Sequence, residues 1–354
     1  MTKTEFIYAL ERGLGRAYIT ATENSEILQN EAVKALTECT SFDVQCEGTR
    51  ADYAIGIISH LGATARFRDI IINKLFSTPN SDMSWDTAYY AELLSKINDS
   101  VSADALREKY KSLYFDLSNT KSLPFGRFPE RDNFEQVCVS LCKSSKVFRE
   151  IASDIANLID NNPNFDCGDF DWFILESRQF IKRAEQYKKK GQKLCRFLEL
   201  VNEREKLRLI ELDRRKNDPT LAEAARKRLE NYKNRALFQD IPLPKSEEEL
   251  IKTLETLDID KDNESGWHSF HFDIFDSLER GDYPEYLKSA LPMIYKTTRC
   301  SNCRFHSLRL MAKFKMLSRE IIEECLYDSN NDIRTFAKRR INKAKQPRNR
   351  AASQ

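Results

Sequence analysis

The residues best equipped for chemistry lie close together in one string, Cys300-Ser-Asn-Cys303-Arg-Phe-His306. Two thiols two residues apart make half of a tetrahedral zinc site, which needs two more donors converging from elsewhere. His306 is the nearest third donor and Cys325 the nearest fourth. If Cys303 and His306 are both helical, the three side chains fan over about two-thirds of the helix circumference. Cys300, Cys303 and His306 are therefore weak metal candidates. The expectation is reduced thiols in a core or turn, with no metal and no cofactor. A thioredoxin-type redox pair should follow a strand, and no strand pattern precedes Cys300.

Other chemical candidates fail on spacing. His268 and His271, within Trp267-His-Ser-Phe-His-Phe-Asp273, share a helix face and could bind metal or relay a proton. No third partner is identifiable, so the expectation is a packed aromatic helix with partly exposed histidines. Asp258, Asp260, Asp262 and Glu264 fill positions 1, 3, 5 and 7 of an EF-hand-like loop, but position 12 is Ser269, so weak or absent calcium binding is expected. Gly13-Leu-Gly15-Arg16 lacks the preceding strand, the third glycine and the Lys-Ser/Thr of a phosphate loop, and reads as a helix break. Hydrolase, zinc-protease and deaminase motifs are missing too. No catalytic residue is assigned.

Local positive charge is more informative. Lys182, Arg183, Lys188, Lys189 and Lys190 lie along one predicted helix. Arg334, Lys338, Arg339, Arg340 and Lys343 belong to a C-terminal stretch without a single acid. Such clusters can engage phosphates or another anionic surface. Solvated helix flanks and the preference of cations for helix C-termini also account for them. The whole chain, at a net charge of +2 with 32% charged residues, has no global drive toward nucleic acid or anionic lipid.

Helices must position all of these groups. Apolar residues recur three and four apart from end to end, and ten glycines and ten prolines leave little punctuation in 354 residues. Helices are expected near 3–22, 26–39, 49–61, 65–77, 85–98, 103–117, 131–143 and 146–160. Phe173, Phe180, Tyr187, Leu194 and Val201 follow at steps of seven, the spacing of a coiled-coil seam. That outgoing helix would run roughly 60–70 Å before Asn217-Asp-Pro219 turns it back. The expected blocks are an N-terminal helical solenoid over 1–160, a long hairpin arm over 169–238, C-terminal repeats over 246–345, and a flexible basic tail over 346–354. Charge interrupts the N-terminal apolar run, unlike a signal peptide. No stretch has eighteen consecutive apolar residues. The nine cysteines then read as reduced thiols. The expected location is cytoplasmic, with no membrane partner.

Repetition sets the class. Arg68-Asp-Ile-Ile-Ile-Asn-Lys-Leu75 is echoed by Arg319-Glu-Ile-Ile-Glu-Glu-Cys-Leu326, and Phe270-His271 and Leu291 match Phe305-His306 and Leu326 thirty-five residues on. The final unit, Leu326-Tyr-Asp328-Ser-Asn-Asn-Asp332-Ile333-Arg334 with Ala337 and Ile341, resembles the turn and second helix of HEAT repeats. The resemblance covers residues 26–97 and 246–345, and the arm has no place in it. It implies an α-solenoid whose concave face binds a macromolecule, and no particular reaction. The expectation is an all-α, HEAT-like solenoid interrupted by a coiled-coil-like hairpin. It would act as a non-catalytic binding or scaffold protein, with a protein partner and self-association through the arm. The alternative is a nucleic-acid-binding protein similar in architecture to the HEAT-like DNA glycosylases, although none of their catalytic residues can be matched here.

Overall fold

The computed structural model describes residues 1–23, 25–38, 50–80, 85–119, 129–141, 145–161, 244–259, 264–281 and 283–345. The predicted arm, the centre of the acidic loop and the basic tail beyond 345 lie outside them. All regular structure among the described residues is helical, with no strand. The fold class is all-α, and no described helix is long and apolar enough to cross a membrane. Chain contacts group the molecule into two compact units, Met1–Phe67 with Arg235–Gln354, and Arg68–Asn234. The sequence had instead placed its first boundary near residue 160.

The first unit opens with α1 (Lys3–Glu11) and α2 (Gly15–Glu23), followed by α3 (Ser25–Glu38) and α4 (Ala51–His60). Thr2 caps α1 reciprocally: its hydroxyl accepts from the Glu5 amide at 3.2 Å, and the Glu5 carboxylate accepts from the Thr2 amide at 2.8 Å. One helix had been expected over 3–22. Gly13 divides it, because the backbone there turns through φ +69°, a region that only glycine enters without strain. The break serves long-range packing. The Gly13 carbonyl accepts from the Ser329 amide at 2.8 Å, and a Cβ on Gly15 would come within 1.9 Å of the Glu324 carbonyl oxygen.

The second half of this unit contains α10 (Glu247–Ile259), α11 (Glu264–Arg280), a short 3-10 turn (Glu285–Ser289), α12 (Ala290–Thr297), α13 (Ser301–Lys313), α14 (Arg319–Cys325) and α15 (Asn331–Lys345). The Ser246 hydroxyl accepts from the Glu249 amide at 3.2 Å and caps α10. Phe270, Ile274, Phe275, Leu291, Ile294, Tyr295 and Met311 are buried together. Each such side chain contributes about 1.5–3 kcal/mol by leaving water, which is what holds α11, α12 and α13 in register. The α14–α15 turn is built by its own polar side chains. Asn330 Oδ1 accepts from the Asp332 amide at 2.7 Å, and the Arg334 guanidinium donates to the carbonyls of Asp328 (2.6 Å) and Ser329 (2.7 Å).

The N-terminal helices lock onto the C-terminal ones within this unit. Arg16 pairs with Glu324 at 3.0 Å, and Tyr18 stacks on Tyr327 with ring centroids 5.4 Å apart. The three carbonyls before Cys300 each accept from a different arginine: Thr297 from Arg12 (2.7 Å), Thr298 from Arg304 (3.3 Å) and Arg299 from Arg50 (2.6 Å).

In the second unit, α5 (Thr64–Ser77, which the unit joins at Arg68) is followed by α6 (Trp85–Ile97), α7 (Ser100–Asn119), α8 (Pro129–Leu141) and α9 (Ser145–Asn161). Tyr110 of α7 stacks on buried Phe134 of α8 at 5.2 Å and donates to Asp154 of α9 at 2.5 Å. Arg68 bridges Asp69 and Asp99, each at 2.7 Å. Hydrogen bonding from Arg68 holds the Asp99 carboxyl down at about 2.

Candidate functional site

The two cysteines meet at the start of α13. Cys300 is the N-cap, with extended backbone (φ −78°, ψ 117°), and its carbonyl accepts the first intrahelical bond from the Arg304 amide at 3.1 Å. Cys303 lies one turn on, so both sulfurs sit at the positive end of the helix, where a thiolate is favoured. Cys300 and Cys303 are 1% and 0% exposed.

The third donor comes from α11, which packs against α13. His268 Nδ1 lies 3.3 Å from Cys303 Sγ, and the donor atoms of His268, Cys300 and Cys303 all fall within 4.8 Å of one another. Hydrogen bonding from the Cys303 thiol, aided by His268, holds the Cys300 thiol well below the ordinary cysteine range against the opposing effect of burial. Two sulfurs and an imidazole in this arrangement can hold a borderline or soft cation, or store a proton between sulfur and nitrogen.

The other residues considered with this string lie elsewhere. His306 is not among the three converging donors: it lies 2.9 Å from Glu279, with its ring stacked on Phe275 at 4.5 Å. Cys325 lies 3.6 Å from the Tyr295 hydroxyl, and burial pushes its thiol up to about 12. His271, expected partly exposed, is 4% exposed, and burial lowers its imidazole to about 3. His268 is the residue the sequence reading left out of the string. It stands thirty-five positions before Cys303, on a different helix, and only the packing of α11 on α13 brings it to the sulfurs.

Beneath the site lies a buried ion pair. Arg304 donates to both Asp328 carboxylate oxygens, at 2.9 and 3.1 Å, and both side chains are 0% exposed. The Asp328 carboxylate also accepts from the Asn330 amide at 2.9 Å, while Asn330 donates to the Ser301 hydroxyl at 2.7 Å. The α14–α15 turn is thereby tied to the first residue of α13.

The basic candidates divide. Arg334 is engaged by turn carbonyls, whereas Lys338, Arg339, Arg340 and Lys343 are exposed on α15. None of these four lies within ion-pair distance of a carboxylate among the described residues, and Arg340 sits over the Phe336 ring at 4.8 Å. Lys182, Arg183, Lys188, Lys189 and Lys190 lie outside the described residues. A feature with no sequence signal is a cleft of about 750 Å³ in the second unit, lined by Arg107, Tyr110, Lys111, Arg149 and Asp154 among others. Its residues come from separate helices at no fixed spacing. Compared with family models, curated proteins and solved structures, the chain shows no significant match to any.

Proposed function

We propose that this chain is a non-catalytic binding or scaffold protein that engages an acidic protein surface through α15. The observation that carries the reading is the exposed quartet Lys338, Arg339, Arg340 and Lys343, which has no carboxylate partner among the described residues. Arg339 and Lys343 are four apart on the helix and repel one another, at a cost of a few tenths of a kcal/mol. The negative end of the helix offsets part of that repulsion. An acidic partner would turn the whole patch into a favourable contact and speed encounter. A HEAT-like repeat is proposed with it, supported by the α14–α15 turn, in which Asp328 and Arg334 fasten the two helices through side-chain and carbonyl bonds.

The same patch fits a polyanion, so nucleic acid is the second reading. One experiment separates the two. The protein and its Lys338→Ser/Arg339→Ser/Arg340→Ser variant are used as bait in extract with and without nuclease, and binding to duplex and single strands is titrated against salt. A protein partner predicts nuclease-resistant capture that the triple change abolishes. Tight nucleic-acid binding at physiological salt, with a salt slope that the variant flattens by about one unit per lost phosphate contact, would overturn the protein reading.

A further inference from the structure

We propose that His268, Cys300 and Cys303 form a binding site for a single zinc ion, with a fourth coordination position left to an exogenous ligand. The donor chemistry selects the ion. Two thiolates and one imidazole are ligands for zinc and other thiophilic cations, while calcium and magnesium require oxygen. Two thiolates also neutralise a dication, so that the loaded site places no net charge in the interior. Each thiol that coordinates gives up its proton to solvent, which makes binding weaker as pH falls.

Three observations favour a metal over a redox disulfide between Cys300 and Cys303. First, His268 Nδ1 is directed at Cys303 Sγ from another helix at 3.3 Å, a donor that a disulfide has no use for. Second, the sulfurs are 1% and 0% exposed, so a partner thiol cannot reach them in line. His268, half-buried, is the most exposed of the three donors. Third, Arg12, Arg304 and Arg50 bond the carbonyls of Thr297, Thr298 and Arg299, fixing the backbone that delivers Cys300. A rigidly held donor set binds without first paying to order itself.

Three donors within 4.8 Å, with Cys325 engaged by Tyr295 and His306 beside Glu279, leave the fourth position without a protein ligand among the described residues. Two sulfurs, one imidazole and an open position are the pattern of reactive rather than purely structural zinc sites.

The test is made on the full chain, reduced and stripped of metal with a chelator. Titration with cobalt(II) should give a thiolate-to-cobalt charge-transfer band and intense tetrahedral visible bands, saturating at one equivalent and bleached by zinc. Cys303→Ser should abolish the charge-transfer intensity at equimolar cobalt, and His268→Asn should weaken binding at least about tenfold. His306→Asn should leave both unchanged. The proposal is overturned if stripped wild-type protein of native helical circular dichroism shows no charge-transfer band. It is equally overturned if the band survives in Cys303→Ser, or if His306→Asn and not His268→Asn weakens it. The wild-type titration alone decides the matter should a cysteine variant fail to fold.

Discussion

Arg304 and Asp328 are held at zero exposure, where a charge is tolerated only because its partner and several further hydrogen bonds surround it. Asp328→Ala should therefore cost about 3–5 kcal/mol in urea unfolding, because it strands a buried guanidinium. The double change Arg304→Met/Asp328→Ala should cost less than the two single changes summed, and an additive cycle would count against coupling. Asp273 is a second test. Burial first, then Asp276, raises its carboxyl to about 6, above the ordinary 3.8, in keeping with its 2% exposure. A raised acid contributes stability that is complete below about pH 4 and lost as pH climbs through 6. Asp273→Asn should then melt above wild type at pH 7.5, with the gap closing toward pH 4. His271, lowered to about 3, acts in the opposite sense, losing stability as pH falls below the usual histidine range, but it is common to both proteins. Equal melting at pH 7.5 would sink the assignment. At this scale the sequence was half legible. The two-residue spacing exposed Cys300 and Cys303, but the third donor stands on a different helix, and only tertiary packing could choose His268 over His306.

Helix ends were legible wherever a local signal controls them. Thr2 and Ser246 cap as their residue types require, and the observed limits of α5, α6 and α9 fall within about one residue of those read from apolar spacing. The break in the first helix was visible as Gly13-Leu-Gly15, but its reason was not, because the atoms that demand those glycines lie more than three hundred residues away. The contrast gives a graded test. Gly62→Ala meets no atom within 4 Å and bears only its left-handed φ of +67°, about 1–2 kcal/mol. Gly15→Ala must push the α14 backbone aside, because its Cβ would lie 1.9 Å from the Glu324 oxygen. Its loss of stability should exceed that of Gly62→Ala, typically by about 1–3 kcal/mol for overpacking. Thermal melts of the two variants compare them directly, and the reverse order would show that α2 and α14 are not packed as described.

On the scale of the molecule, the first unit is assembled from both ends of the chain. Fragments 1–67 and 235–354, produced separately, should associate when mixed and gain helical signal beyond the sum of the two. No gain on mixing would contradict the pairing of Arg12, Arg16 and Arg50 with their C-terminal partners. Nothing in the sequence announced this closure, because apolar periodicity reports which face of a helix is buried and not against which helix. The closure also imposes an order of events during synthesis. When Phe67 leaves the ribosome, α14, which packs on α2, has yet to be made, and the 167 residues from Arg68 to Asn234 separate the two pieces. At typical elongation rates that is a delay of roughly 8–30 s. Throughout it, Arg12, Gly13 and Arg16 lack the Thr297, Ser329 and Glu324 groups that engage them in the finished protein. Stalled nascent chains should therefore be cleaved more readily at the α1–α2 junction, where Gly13 meets Ser329 and Gly15 meets Glu324, until α14 and the turn after it have emerged. For that interval the side of α2 that receives α14 is open to any chaperone that reads an incomplete helix interface.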